Sequence, residues 1–235
     1  MKPTALARCA VTAAALAVVA TACGGSDTEP ADTSTTETTT TTSAAPTTTQ
    51  ERIAPREDSV QGAAPTIADY IAENGITETP VRRGDPGAPT IDLPFPQGWE
   101  DAGADTPEWA YGAIFYPGPG AEDYTPSIVA IVSRLTGDVD PQTILDLAPG
   151  ELTNLPGWEP LTRGREDELS GFPAYQLGGT WVQDGMTKVV AQKTVVIPGD
   201  DGLFVLQLNA DGLESQIEII GPATDVIDEQ TTITP

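Results

Sequence analysis

Two turn signals constrain this chain more than anything else in it. Asp184-Gly185, and the run Pro198-Gly199-Asp200-Asp201-Gly202, divide the stretch from Phe172 to Asn209 into three strand-length apolar runs. Asp-Gly is a strong two-residue hairpin signal, because both positions of a type I′ turn need positive φ. Three strands joined by tight turns pair antiparallel, so the second half of the chain reads as a meander. The last of the three places Phe204, Leu206 and Leu208 on one face at period two. Asp211 with Glu214 then reads as the start of a closing helix, on which Leu213, Ile217, Ile220 and Ile227 recur at helical spacing.

The preceding hundred residues supply more of the same architecture. Thr66 followed by Asp69 is a capping pair, with Ile67, Tyr70 and Ile71 on one helix face and Asn74-Gly75 as the stop. Thr90 to Leu93 alternates, and Trp109, Tyr111, Ala113 and Phe115 fall on one face of an expected strand. Ser127 to Leu135 is apolar on both faces apart from Arg134, which suits a central strand. Asp140-Pro141 opens a helix, with proline at the first position, where its missing N–H costs nothing. The expected class is α+β: an antiparallel sheet with helices packed on it.

The amino terminus says where such a domain works. Lys2 and Arg8 precede an apolar run from Ala10 to Ala20 that is too short to span a bilayer, and Ala20-Thr21-Ala22-Cys23 follows. That is a secretory leader over residues 1–22 ending in a bacterial lipobox, with Cys23 the expected site of acylation. A Thr-rich segment, residues 23–63, cannot bury enough apolar surface to fold and reads as a tether, with O-glycosylation of its Thr run as a sharper alternative. Residues 64–235 form the folded domain. The expected location is the outer face of the cell membrane, in contact with the membrane through the lipid alone.

Composition removes whole function classes. The 235 residues hold no histidine and two cysteines, of which Cys9 leaves with the leader. No Ser-His-Asp or Cys-His nucleophile can be assembled, and no imidazole zinc site. A net charge of −24 repels nucleic acid, which needs clustered Lys and Arg. Paired carboxylates for glycan hydrolysis cannot be selected among 35 acids by spacing. The acidic turns at Asp138/Asp140 and Asp200/Asp201 match no calcium loop, and turn chemistry is the simpler reading. No catalytic residues, metal ligands or cofactor are expected. The aromatics are better candidates for a binding role: Tyr175, Leu177 and Trp181 on one strand face interrupted by Gly178-Gly179, with Trp109 and Tyr111 as further candidates.

The runs TIADYIAENG (66–75), ITETPVRRGDPGAPTID (76–92), LPFPQGW (93–99), GFPAYQLGG (171–179) and GLFVLQL (202–208), together with the lipobox, resemble the LpqN/LpqT family of actinobacterial lipoproteins. The resemblance covers roughly residues 64–232. It implies a Mog1/PsbP-like α/β/α sandwich and a non-enzymatic role in the mycolate-containing envelope. It further implies binding of lipid or glycolipid of the trehalose-mycolate type, and partnership with lipid exporters or mycolyl-transfer proteins. The alternative is an adaptor that docks envelope or exporter proteins without a lipid ligand. The resemblance carries over only the lipidation role of Cys23.

Overall fold

The computed structural model describes residues 62–235, so the expected leader, the expected acylation site Cys23 and the expected tether up to residue 61 lie outside the described residues. Helix α1 (Ile67–Glu73) opens on the expected capping box: Asp69 N–H donates to Thr66 Oγ1 at 3.1 Å and Thr66 N–H donates to Asp69 Oδ2 at 2.9 Å. Four short strands follow, β1 (Thr77–Val81), β2 (Thr90–Asp92), β3 (Glu100–Asp101) and β4 (Gly112–Phe115). The long β5 (Ser127–Thr136) leads into α2 (Pro141–Leu147), α3 (Pro149–Thr153), β6 (Glu159–Pro160) and β7 (Arg165–Leu169). The meander is β8 (Phe172–Gln183), β9 (Met186–Gly199) and β10 (Gly202–Leu213), and α4 (Ile217–Gln230) and β11 (Thr232–Thr234) close the chain. The β8–β9 turn has φ of 52° at Asp184 and 79° at Gly185, as an Asp-Gly hairpin requires.

One antiparallel sheet runs in the order β3-β4-β5-β10-β9-β8-β6, with β1 also on β5 and β7 also on β8. Each outer long strand is thus flanked by two short strands end to end: β4 and β1 on β5, and β6 and β7 on β8. Helix α4 packs Ile220, Ala223 and Ile227 onto one face, against Ile128, Leu206 and Leu208. The opposite face takes α1 and α2, whose Ile67, Ile144 and Leu145 meet Leu135, Val196 and Val205. A two-stranded sheet of β2 and β11 adds Ile91 and Ile233 to the α4 side. The architecture is the expected helix–sheet–helix sandwich.

Two elements depart from the sequence reading. Pairing on β4 begins only at Gly112. Trp109 instead sits in a turn, 46% exposed, while Tyr111 is buried, donating its hydroxyl to the Pro89 carbonyl and accepting from Ile91 N–H. The closing helix starts six residues later than Asp211, because Asp211 stays in β10 and ion-pairs with Lys188 of β9 at 2.7 Å. A buried lysine needs that carboxylate more than a helix needs a cap.

A candidate ligand pocket between the sheet and helix α4

The register brings together a row of small side chains. Gly178 of β8 pairs with Ala191 of β9, Ala191 with Ala210 of β10, and Ala210 with Ile128 of β5. With nothing larger than alanine on three neighbouring strands, α4 cannot close fully onto this part of the sheet. A pocket of about 230 Å³ results, floored by Gly178, Ala191 and Ala210 and walled by Thr224, Ile227 and Asp228 of α4. Thr162 and Arg165 form its outer side.

The two adjacent glycines have different reasons to be there. A Cβ on Gly178 would meet nothing closer than 3.5 Å, so the position is open rather than crowded. Its N–H donates to Thr162 Oγ1 at 3.1 Å and its carbonyl accepts from Leu161 and Thr162, which bridges the gap between β6 and β7 along β8. On the other face, a Cβ on Gly179 would lie 2.4 Å from the Trp158 ring and 2.5 Å from the Glu159 carbonyl. Gly179 is what lets the edge of the Trp158 ring come this close to β8.

The pocket is amphipathic. Its charged corner is the Lys193 ammonium, 5% exposed, 3.0 Å from Asp167 Oδ2 and 2.8 Å from Asp228 Oδ1. Burial pushes the Asp167 carboxyl up, but the Lys193 hydrogen bond, the Glu168 N–H and the charges of Lys193 and Arg165 together outweigh it and hold the group below its ordinary value. For Asp228 the balance reverses: burial, first, and the neighbouring charges of Asp167 and Asp225 together raise its pKa by more than Lys193 lowers it.

A second cavity, of about 180 Å³, lies beneath α1, lined by Ile67, Ile71, Val205, Glu78, Ser133 and Glu151 among others. Its polar groups bond one another: Glu151 Oε2 accepts from Gln192 and Gln207, and Glu78 Oε1 accepts from Ser133.

The sequence candidates fall in separate places. Leu177 borders the α4-side pocket. Trp181 is buried with Leu177, Leu152, Leu155 and Val190 under α3, with Tyr175 packed against that cluster. Trp181 Nε1 finds no acceptor among the described residues, and the Lys188 ammonium lies 5.4 Å from its ring centroid. Tyr111 lies in the core on the α4 side, and Trp109 faces outward. The pocket residues Gly178, Ala191, Ala210, Lys193 and Asp228 carry no local signature; only the glycine-interrupted strand hinted at them. Asp140 is occupied as the cap of α2, accepting from the Gln142 and Thr143 N–H groups. Among the described residues no three His, Cys, Asp or Glu side chains converge as metal ligands, and no helix is long and apolar enough to cross a membrane.

Residues 63–234 match the family described as probable lipoprotein LpqN. The chain is 52% identical over 177 residues to lipoprotein LpqN of Mycobacterium tuberculosis, a match covering 74% of this chain and 77% of that one. It is similar to the crystal structure of LpqN involved in cell envelope biogenesis of M. tuberculosis, with a TM-score of 0.69 over 74% of this chain and 100% of that one, at 52% identity. A proline-rich 28 kDa antigen homologue of Mycobacterium leprae is 25% identical over 137 residues, covering 58% of this chain and 49% of that protein.

Proposed function

The chain belongs to the LpqN family of lipoproteins, and from that premise we propose that it is a non-enzymatic envelope protein that binds a lipid or glycolipid. It is anchored through Cys23 at the outer face of the cell membrane. The observation that carries this reading is the pocket between sheet and α4, with a flat floor of small residues and a polar rim of Thr162, Arg165, Lys193 and Asp228. An apolar floor with a few convergent polar groups is the usual character of a small-molecule site. At about 230 Å³ the pocket is smaller than the roughly 300–1,000 Å³ of sites that enclose a drug-sized ligand. It therefore takes one part of an amphiphile, a sugar ring or a chain end, and leaves the rest outside. Each methylene buried there contributes about 0.8 kcal/mol, so useful affinity needs no reaction. A ligand of the trehalose-mycolate type has the required mixture of hydroxyls and alkyl chain, and carriage between exporter and transfer enzymes is the role that follows.

The test is titration of the mature chain with a trehalose monoester bearing a fluorescent acyl chain. Ala191→Leu, which fills the floor, should weaken binding about tenfold or more while leaving the melting temperature near that of the parent. No saturable binding to the parent chain would remove the carrier reading and leave the adaptor.

A further inference from the structure

Helix α4 is built with a weak point at one end of the pocket and a fastening at the other. Gly221-Pro222 lies inside the helix, and proline cannot donate the N–H that would bind the Glu218 carbonyl. Thr224 donates its hydroxyl to the Gly221 carbonyl at 2.8 Å, which leaves the bond lost at Glu218 unreplaced. The residues beyond it, Thr224, Asp225, Ile227 and Asp228, are the pocket wall. At the far end of that wall stands Lys193, on β9, holding Asp228 of α4 and Asp167 of β7 at the same time. One buried ammonium thus ties the helix wall, the pocket floor and the outer strand together.

We propose that Lys193, Asp228 and Asp167 form a latch that holds the wall of α4 over the pocket, so that ligand uptake depends on breaking the Lys193–Asp228 arm while the Lys193–Asp167 arm keeps the lysine in place. The ligand part of this rests on reading the pocket as the binding site. The two arms differ in the way a latch needs. Asp167 keeps its charge to lower pH than an ordinary carboxyl, whereas Asp228 accepts a proton more readily than one. The charged groups facing Asp228 are Lys193 from β9, Asp167 and Arg165 from β7, and Asp225 from α4 itself. The like charges of Asp167 and Asp225 act with burial to favour its release. A pocket too small to enclose an amphiphile when fastened gains room where the latch opens.

The experiment is hydrogen exchange on the mature chain without ligand, comparing the parent with Asp228→Asn and Asp167→Asn. Asp228→Asn should speed exchange of the amides of residues 224–230 about tenfold or more, the factor one charge-assisted hydrogen bond commands. The interior of β10 should exchange as before. Asp167→Asn should loosen β7 and leave α4 within about twofold of the parent. Unchanged exchange in α4 for Asp228→Asn, or an equal rise in α4 and β10, overturns the latch whatever the ligand is. A second arm measures the uptake rate of the fluorescent trehalose monoester, which should rise in Asp228→Asn. If the parent binds the ester and uptake is unchanged, the gating role is overturned. If α4 loosens as expected and no variant binds the ester, the latch stands and the ligand reading falls.

Discussion

Gly178 and Gly179 are neighbours in sequence and offer opposite responses to one added methyl group. In Gly179→Ala the new carbon would lie 2.4 Å from the Trp158 ring and 2.5 Å from the Glu159 carbonyl, so either the ring lifts from the sheet or β6 parts from β8. Overpacking of this kind costs about 1–3 kcal/mol. In Gly178→Ala the nearest atom is the Val190 carbonyl oxygen at 3.5 Å, an ordinary contact, and the methyl enters the pocket. Restricting the unfolded chain then stabilises the protein by about 0.4–1 kcal/mol. For a domain of this size 1 kcal/mol corresponds to roughly 2–4 °C, so the two variants should melt several degrees apart, on either side of the parent. Urea unfolding followed by tryptophan fluorescence gives the free energies directly. Gly178→Ala should also weaken binding of the trehalose monoester, and Gly179→Ala should not do so below its unfolding transition. Equal shifts in the same direction for the two would refute the assignment of one glycine to packing and the other to open space.

The remaining expectations concern buried charge. Lys188→Met leaves Asp211 without its 2.7 Å partner at the end of the sheet, and unfolding in urea should show a loss of about 3–5 kcal/mol, much of it recovered in the double variant with Asp211→Leu. The carboxyls on Lys193 should bend the pH–stability curve in opposite senses. Asp167, held below its ordinary value, contributes stability that is present above pH 3.8 and is lost as pH falls through its folded pKa. Asp228, held above, contributes stability that declines as pH rises from 3.8 through its folded pKa, a decline that Asp228→Asn, without the titrating group, should not show. Urea midpoints taken across acidic pH for the parent and both Asn variants decide this; parallel curves would contradict it.

The parts of this structure legible in the sequence are those determined by neighbours along the chain. The Thr66/Asp69 box, the Asp140-Pro141 start and the Asp184-Gly185 turn each satisfy backbone groups within a few residues, and each stands where expected. The closing helix starts later than its sequence spacing predicts because the competing demand on Asp211 comes from Lys188, across a strand pair. The expected strand at Trp109 failed similarly: Tyr111 hydrogen-bonds to the chain around Pro89 and Ile91, about twenty residues earlier, and that distance is invisible to a period-two pattern. The pocket is the extreme case. Its floor exists only once the registers of β8, β9, β10 and β5 align Gly178, Ala191, Ala210 and Ile128, and its charged corner joins residues 167, 193 and 228. No local pattern marks residues that meet only through three strand pairings.

The burial of Lys188 and Lys193 has a practical consequence. They are the only lysines among the described residues, at 3% and 5% exposure, and each ammonium is in an ion pair. The folded domain therefore offers reagents that acylate primary amines no side chain to attack. Lysine modification in residues 62–235 becomes a clock for opening of the sheet, slow while the domain is intact and fast once it is not. For the same reason, amine-directed crosslinkers would return silence from this domain even with a partner in place, and carboxylate-directed coupling is the chemistry suited to its surface.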